Sequence, residues 1–306
     1  MLTRRELLVS SAAAAGLSRS ARGAAARMYV SLNSSLLGSG KLGWPDFARL
    51  AAKLGYGGVD FNLNAAMMEG LEPTRALLAG LRIKPAVCGL PVAATRGDAA
   101  AFQESMQGLA EAAQFAAAVG CPRMTLVVSP GSQIPKEEQR KMLGDRLRQI
   151  SEVLAKSGVR LGLEFLGPLP LRAKASYQFI YRMDEMLEFA KECGPNIGLL
   201  LDSWHWHHAG ATVQDILSAG KSRIVTVHVS DAAKMPPEEV RDNQRLMPGE
   251  GIIDFTGFFQ ALQKIGYEDG VSPEVLGRVP KDMAPEEGAK LGLDTTLAVM
   301  RKAGVA

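Results

Sequence analysis

Cysteine is scarce in this chain. Cys88, Cys121 and Cys193 are odd in number and far apart. They make neither a disulfide framework nor a Cys-x-x-Cys metal motif, and read as three small core thiols. Histidine is nearly as scarce, with 4 in 306 residues. From residue 28 onward, no run approaches the roughly 18 apolar residues of a membrane-spanning helix. Neither sign of charge is in large excess: 35 Lys+Arg against 32 Asp+Glu leave +3. That is too little for a nucleic-acid surface, which needs a clustered basic face. Internal repeats and low-complexity linkers are missing, and the 47% hydrophobic content is that of a globular chain, so disorder and collagen-like structure are excluded. A phosphate loop is missing too. Gly38-Ser-Gly-Lys41 resembles one, but Ser35 stands where its first glycine belongs and Leu42 follows the lysine.

The first 26 residues stand apart. Arg4-Arg5 precede Leu7-Leu8 and a short alanine-rich stretch, and Ala24-Ala25-Ala26 supply small residues for cleavage. This is the order of an export signal, and the arginine pair marks it as a twin-arginine address. A periplasmic or secreted location is therefore expected. Residues 1–27 hold five arginines against Glu6, leaving 30 basic and 31 acidic residues from position 28 on. The basic excess belongs to the leader, and the body is close to neutral.

From residue 28 to 306 the pattern alternates strand and helix. Strands are expected at Met28–Asn33, Gly58–Phe61, Ile83–Leu90, Arg123–Val128, Val159–Phe165, Ile197–Leu201, Ile224–Val229 and Gly270–Val275. Helices are expected between them, including a single long one over Asp98–Val119 with Asp98 as N-cap, and a last one over Glu286–Arg301. Short apolar strands separated by helices indicate parallel βαβ units. Eight units in about 280 residues predict one closed (β/α)₈ TIM barrel. The alternative is an open doubly wound sheet, whose glycine-rich first turn is missing.

All four histidines, His205, His207, His208 and His228, fall within 24 residues near the ends of two neighbouring predicted strands. Barrel active sites sit at the C-terminal ends of strands. Those ends carry Glu164, Asp202, His228 and Glu274 on four consecutive strands. A carboxylate in an apolar strand is costly unless it is paired or metal-bound. Three carboxylates and an imidazole make a hard, oxygen-rich donor set. It predicts one divalent ion, Mn, Mg, Co or Zn, with Mn favoured. Taken singly, each residue has a plainer reading: a loop salt bridge for a glutamate, a helix cap for Asp202, a core imidazole for His228. Trp204 and Trp206 flank His205; Trp204 is a candidate to stack on a ligand, with packing at the barrel mouth as the alternative. His207 and His208 read as support for the site or as solvent-facing.

The stretches Leu161–Pro168, Leu201–His205, Val227–Asp231, Met247–Phe255 and Val271–Glu274, with Gly55–Asp60 more weakly, resemble the xylose isomerase-like TIM-barrel superfamily. This is the sugar (phosphate) isomerase and epimerase group, and the resemblance covers residues 28–306. It implies that Glu164, Asp202, His228 and Glu274 hold one divalent metal. It implies that Glu164 and Glu274 are also the acid/base pair, and that His205 contacts a substrate hydroxyl. Two positions depart from the ketose 3-epimerases of this group: Pro170 replaces a second glutamate, and Lys234 replaces an arginine. Arg245, just ahead of the Pro-Gly-Glu-Gly turn, is the candidate to serve instead. The endonuclease IV branch needs further histidines that this chain lacks. Barrels of this group often pair, so a homo-oligomer is an expectation of the resemblance.

Such a site would abstract a proton next to a carbonyl and stabilise the enediolate. Return of the proton to the opposite face is epimerisation; return to the adjacent carbon is isomerisation. A leaving group in the β position makes the same site a lyase or dehydratase. A carbohydrate-binding barrel without activity is the remaining reading, and the Glu164/Glu274 pair argues against it. The expected partner is a sugar or keto-sugar.

Overall fold

The computed structural model describes residues 28–306 apart from Ser39 and Lys174. The export signal read at 1–26 lies outside the described residues. Eight strands close a parallel barrel in chain order: β1 Tyr29–Leu32, β2 Gly58–Asp60, β3 Lys84–Gly89, β4 Arg123–Val128, β5 Arg160–Phe165, β6 Ile197–Asp202, β7 Ile224–Val229 and β8 Gly270–Pro273. β8 pairs back onto β1 through Tyr29↔Gly270 and Val30↔Val271. Every residue of β6 and β7 is buried, because the barrel interior lies on one face and the helices on the other. Among the described residues, no helix is long and apolar enough to cross a membrane.

Most elements lie within a residue or two of the expected bounds. Asp98 caps its helix by accepting from the Ala101 N–H at 2.9 Å. The single helix expected over Asp98–Val119 is a correction: it is two, Ala99–Ser105 and Leu109–Ala118. Gly108, at φ 81°, takes a left-handed turn that a glycine adopts without strain, and this redirects the chain. Helices at Leu63–Glu69, Leu169–Arg172 and Ser203–His208 were not expected. They are too short for a helical period to stand out.

Two features shape the mouth of the barrel. The β2–β3 register shifts between Val59 and Asp60, an irregularity that re-aims Asp60 at the strand end. Asp231, just past β7, accepts hydrogen bonds from the backbone N–H groups of Ala232, Gly249, Gly251 and Ile253 at 2.8–2.9 Å. The loop after β7 is thereby folded back over the barrel, and Leu246 bridges to Asp231. Arg245 precedes that bridge and so points down into the mouth. Gly277 makes room on the other side, where a side chain would run into the Asn243 backbone.

Candidate active site and metal centre

Glu164 lies near the end of β5, Asp202 ends β6, His228 lies in β7, and Glu274 follows β8. Each offers one ligand atom, and these atoms all lie within 4.8 Å of one another. The four residues expected from consecutive strand ends are thus brought together. Asp202 and His228 are direct register partners, as are His228 and Ser272, so barrel closure itself aligns them. Asp202 also caps the Ser203–His208 helix by accepting from the Trp204 N–H at 2.8 Å. The capping reading and the cluster reading of Asp202 therefore both hold geometrically.

Arg245 is almost fully buried and holds the cluster from behind. Its Nη1 donates to Asp202 Oδ2 at 2.8 Å and to Glu274 Oε2 at 3.0 Å. Its Nη2 donates to Asp242 Oδ1 at 2.8 Å and lies 3.2 Å from His205 Nε2. The guanidinium thus supports the carboxylates; burial opposes its charge, but Asp202, Glu274 and Asp242 outweigh that and hold its proton more firmly. Lys234, which stands where the ketose 3-epimerases have an arginine, is exposed. His205 is buried with Nε2 3.8 Å from Glu164 Oε1, and burial pulls its imidazole down to about 4, leaving it neutral. Trp204, a candidate either to stack on a sugar or to pack at the barrel mouth, is 1% exposed. His208 packs edge-on against it and the Arg245 guanidinium sits 5.7 Å from its ring. It offers no free face, and the packing alternative describes it. Trp206 likewise packs on Phe258 and donates to the Thr212 carbonyl at 3.2 Å. His207 and His208 are half-buried beside one another.

The electrostatics follow from packing three acids into one low-dielectric spot. Burial, then Glu274 and Asp202, push the Glu164 carboxyl well above its ordinary range. Burial opposes charge on Glu274 too, but His228 and Arg245 outweigh it and hold that carboxyl at about 2. Burial likewise opposes the His228 imidazolium, yet Glu274, Asp60 and Glu164 raise it to about 10. The spot therefore attracts positive charge. Glu164 Oε1 and both His228 ring nitrogens are buried without a hydrogen-bond partner, and buried polar atoms of this kind ordinarily have one. Three hard oxygens and an imidazole, converging with atoms unsatisfied, fit a divalent cation.

Asp60 is a site residue that strand-end counting missed. Its Oδ2 lies 3.8 Å from His228 Nε2. Ser31, Ser272 and Asn33 donate to its two oxygens at 2.7–2.9 Å. At that separation Asp60 makes no hydrogen bond to the ring and acts on it through charge, as one of the acids that raise the His228 imidazolium. The signal in the sequence was an acid closing the Gly57-Gly58-Val59-Asp60 strand, but nothing local ties it to a histidine 168 positions later. Asp242, which holds Arg245, was missed for the same reason.

Comparison with known proteins agrees with this architecture. Residues 48–302 match the family model described as xylose isomerase-like TIM barrel. An inosose isomerase of Bacillus subtilis is 30% identical over 170 residues, 56% of this chain and 59% of that one. The chain thus matches under two thirds of that relative's length. A xylose isomerase domain protein of Alicyclobacillus acidocaldarius is 28% identical, with a TM-score of 0.83 over 90% of this chain and 99% of that one. A crystal structure of the IolI protein with a bound zinc atom is 25% identical, with a TM-score of 0.75 over 90% of this chain and 99% of that one.

Proposed function

Because the chain belongs to the xylose isomerase-like TIM-barrel family, we propose that it is a divalent-metal-dependent sugar isomerase or epimerase that removes a proton next to a carbonyl. The observation that carries the reading is the convergence of Glu164, Asp202, His228 and Glu274 within 4.8 Å at the barrel mouth. These four residues would hold the ion, with Mn favoured by the hard donor set and Zn, Mg and Co as the other candidates. When bound, such an ion supplies positive charge against a substrate carbonyl and its neighbouring hydroxyl, easing the build-up of enediolate charge.

The protein's own residues do the rest. Glu164 and Glu274 stand at the two ends of the four-strand arc, so one carboxylate flanks each side of the substrate. One takes the α-proton and the other returns it. Their environments already differ: Glu164 is pushed toward holding a proton, and Glu274 is held ionised beside His228 and Arg245. Groups driven apart in this way suit opposite proton-transfer roles. Neutral His205 can share a hydrogen bond with a substrate hydroxyl. Arg245 keeps Asp202 and Glu274 in place, and the Asp60 charge faces His228. Residues 1–26 are proposed to direct export, on the strength of Arg4-Arg5 and Ala24-Ala25-Ala26.

The test measures bound metal by mass spectrometry in the wild type and in the Asp202→Ala/His228→Ala double variant, then α-proton exchange of keto-sugars in deuterated water. About one ion per chain, lost in the double variant, with exchange that follows metal content, is the expected result. A full complement of metal in the double variant would remove the assigned ligands. Stoichiometric metal without any exchange would favour a binding barrel. Product analysis separates epimer, isomer and eliminated product.

A further inference from the structure

The opposite, N-terminal end of the barrel carries a second hollow, of about 650 Å³. It lies where the Leu71–Leu81 and Leu109–Ala118 helices end and β1, β3 and β4 begin. Arg75, Arg82, Lys84 and Arg123 line it, and Asp269 is the one carboxylate among its described lining residues. The chain from residue 28 on is close to neutral, so four cations on one hollow are a local concentration of charge. Part of that charge is already answered. Arg123 donates to Asp269 at 2.6 Å, Arg75 donates to Glu72 at 3.2 Å, and Lys84 sits 4.5 Å over the Tyr29 ring. Helix C-termini also favour nearby cations. Arg82 is left over: its guanidinium is exposed and has no hydrogen-bond or ion-pair partner among the described residues. Arg123 Nε is buried without an acceptor.

Arg82 is also unusual in its backbone. It closes the Leu71–Leu81 helix at φ 54° and ψ 37°, and is the one non-glycine residue with positive φ among the described residues. Glycine ordinarily takes that position, because a Cβ strains it. The chain instead spends the position on an arginine that no protein group uses. Guanidinium and ammonium groups gathered on one concave wall suit the oxygens of a phosphate. A phosphate ion alone would fill a small part of the hollow. Leu78, Ile83 and Pro85 supply apolar wall for an organic remainder. A concave pocket of this size takes a small molecule rather than a nucleic-acid strand.

We propose that this hollow is a second ligand site, for a small phosphate monoester held by Arg82, Lys84 and Arg123. It lies at the far end of the barrel from the candidate metal centre and stands apart from the isomerase or epimerase reading.

The experiment titrates the manganese-reconstituted full chain with phenyl phosphate, inorganic phosphate and benzoate, by calorimetry at fixed ionic strength. Phenyl phosphate should bind about tenfold tighter than either of the others, since it alone joins a phosphate to an apolar body. Arg82→Gly should melt like the wild type, because glycine suits that backbone. It should nevertheless weaken phenyl phosphate about tenfold, through loss of one charge-assisted hydrogen bond. Lys84→Met should weaken it as well. No binding of phenyl phosphate would overturn the site. Binding unaltered in both variants would place the phosphate elsewhere, at the metal centre for example, and overturn it too. Equal affinity for inorganic phosphate would overturn the ester assignment, and equal affinity for benzoate would overturn the choice of phosphate. Each of these failures leaves the isomerase or epimerase reading untouched.

Discussion

At the N-terminal end of the barrel, Arg123 donates to Asp269 at 2.6 Å, and Arg160 and Arg223 donate to the carbonyls of Ile224 and Ile197. At the C-terminal end, Glu164, Asp202, His228 and Glu274 crowd within 4.8 Å, with Glu164 Oε1 and both His228 nitrogens unpartnered. Both ends bring charged side chains out of full contact with water. The floor answers its cations with an aspartate and strand-end carbonyls, although Arg123 Nε is left without a partner. The mouth gathers acids faster than it supplies cations, and Arg245 and His228 offset them only in part. A barrel needs a closed floor for stability and an unsatisfied mouth for ligands, and the hydrogen-bond accounts of the two ends separate the tasks.

Substitutions can break or sharpen that contrast. The largest effect is expected from Glu274→Gln at the mouth. Loss of this proposed proton-transfer carboxylate should lower α-proton exchange by about 10²–10⁴-fold, with the melting temperature nearly unchanged. A variant that unfolds instead would mean that Glu274 is chiefly structural. Asp60→Asn comes next, with metal affinity falling about 10–100-fold and exchange recovering at saturating metal. Metal titration checks it, and unchanged affinity would remove Asp60 from the support of His228.

At the floor the pattern should invert. Arg123→Met leaves Asp269 without its donor, at a cost of about 1–3 kcal/mol in stability. Turnover per folded molecule should stay at the wild-type level, and urea melts read beside exchange rates would show otherwise. The smallest effect belongs to Glu250. Arg278 pairs with it at 2.9–3.0 Å and, with the Met247 N–H, holds its carboxyl below the ordinary range. A depressed carboxyl contributes stability above its unfolded value and loses it as pH falls through the folded one. Glu250→Gln should therefore cost less than about 1 kcal/mol near neutrality, the pair being part-exposed. The cost should shrink as pH falls below the ordinary carboxylate range, where the unfolded and then the folded state take up the proton. An equal cost at pH 7 and pH 3 would assign the loss to packing.

Much of this molecule was legible in advance. The all-apolar Ile197–Leu201 run, the Asp98 cap and the alternation of strand and helix each depend on neighbours a few positions away, and local sterics and burial period act at that range. The four candidate ligands were legible for a related reason. In a parallel barrel all strand ends share one rim, so position along a strand already implies meeting in space. The helix break at Gly108 was missed because apolar spacing continues across it, and only the left-handed glycine interrupts the path.

Other contacts had no local signature. Arg245 reaches Asp202 and Glu274 because Asp231 gathers four backbone N–H groups and folds its loop inward. Asp60 faces His228 because β1 closes onto β8, which brings the β2 end near the β7 end. Trp204 became packing rather than a sugar platform when Arg245 and His208 closed on it. The sequence by itself determined the barrel and the residues on its rim, since periodicity and strand-end position are properties of short stretches of chain. The tertiary structure alone decided which side chains support, orient or bury those residues, because loop folding and ring closure join positions whose separation along the chain carries no energy of its own.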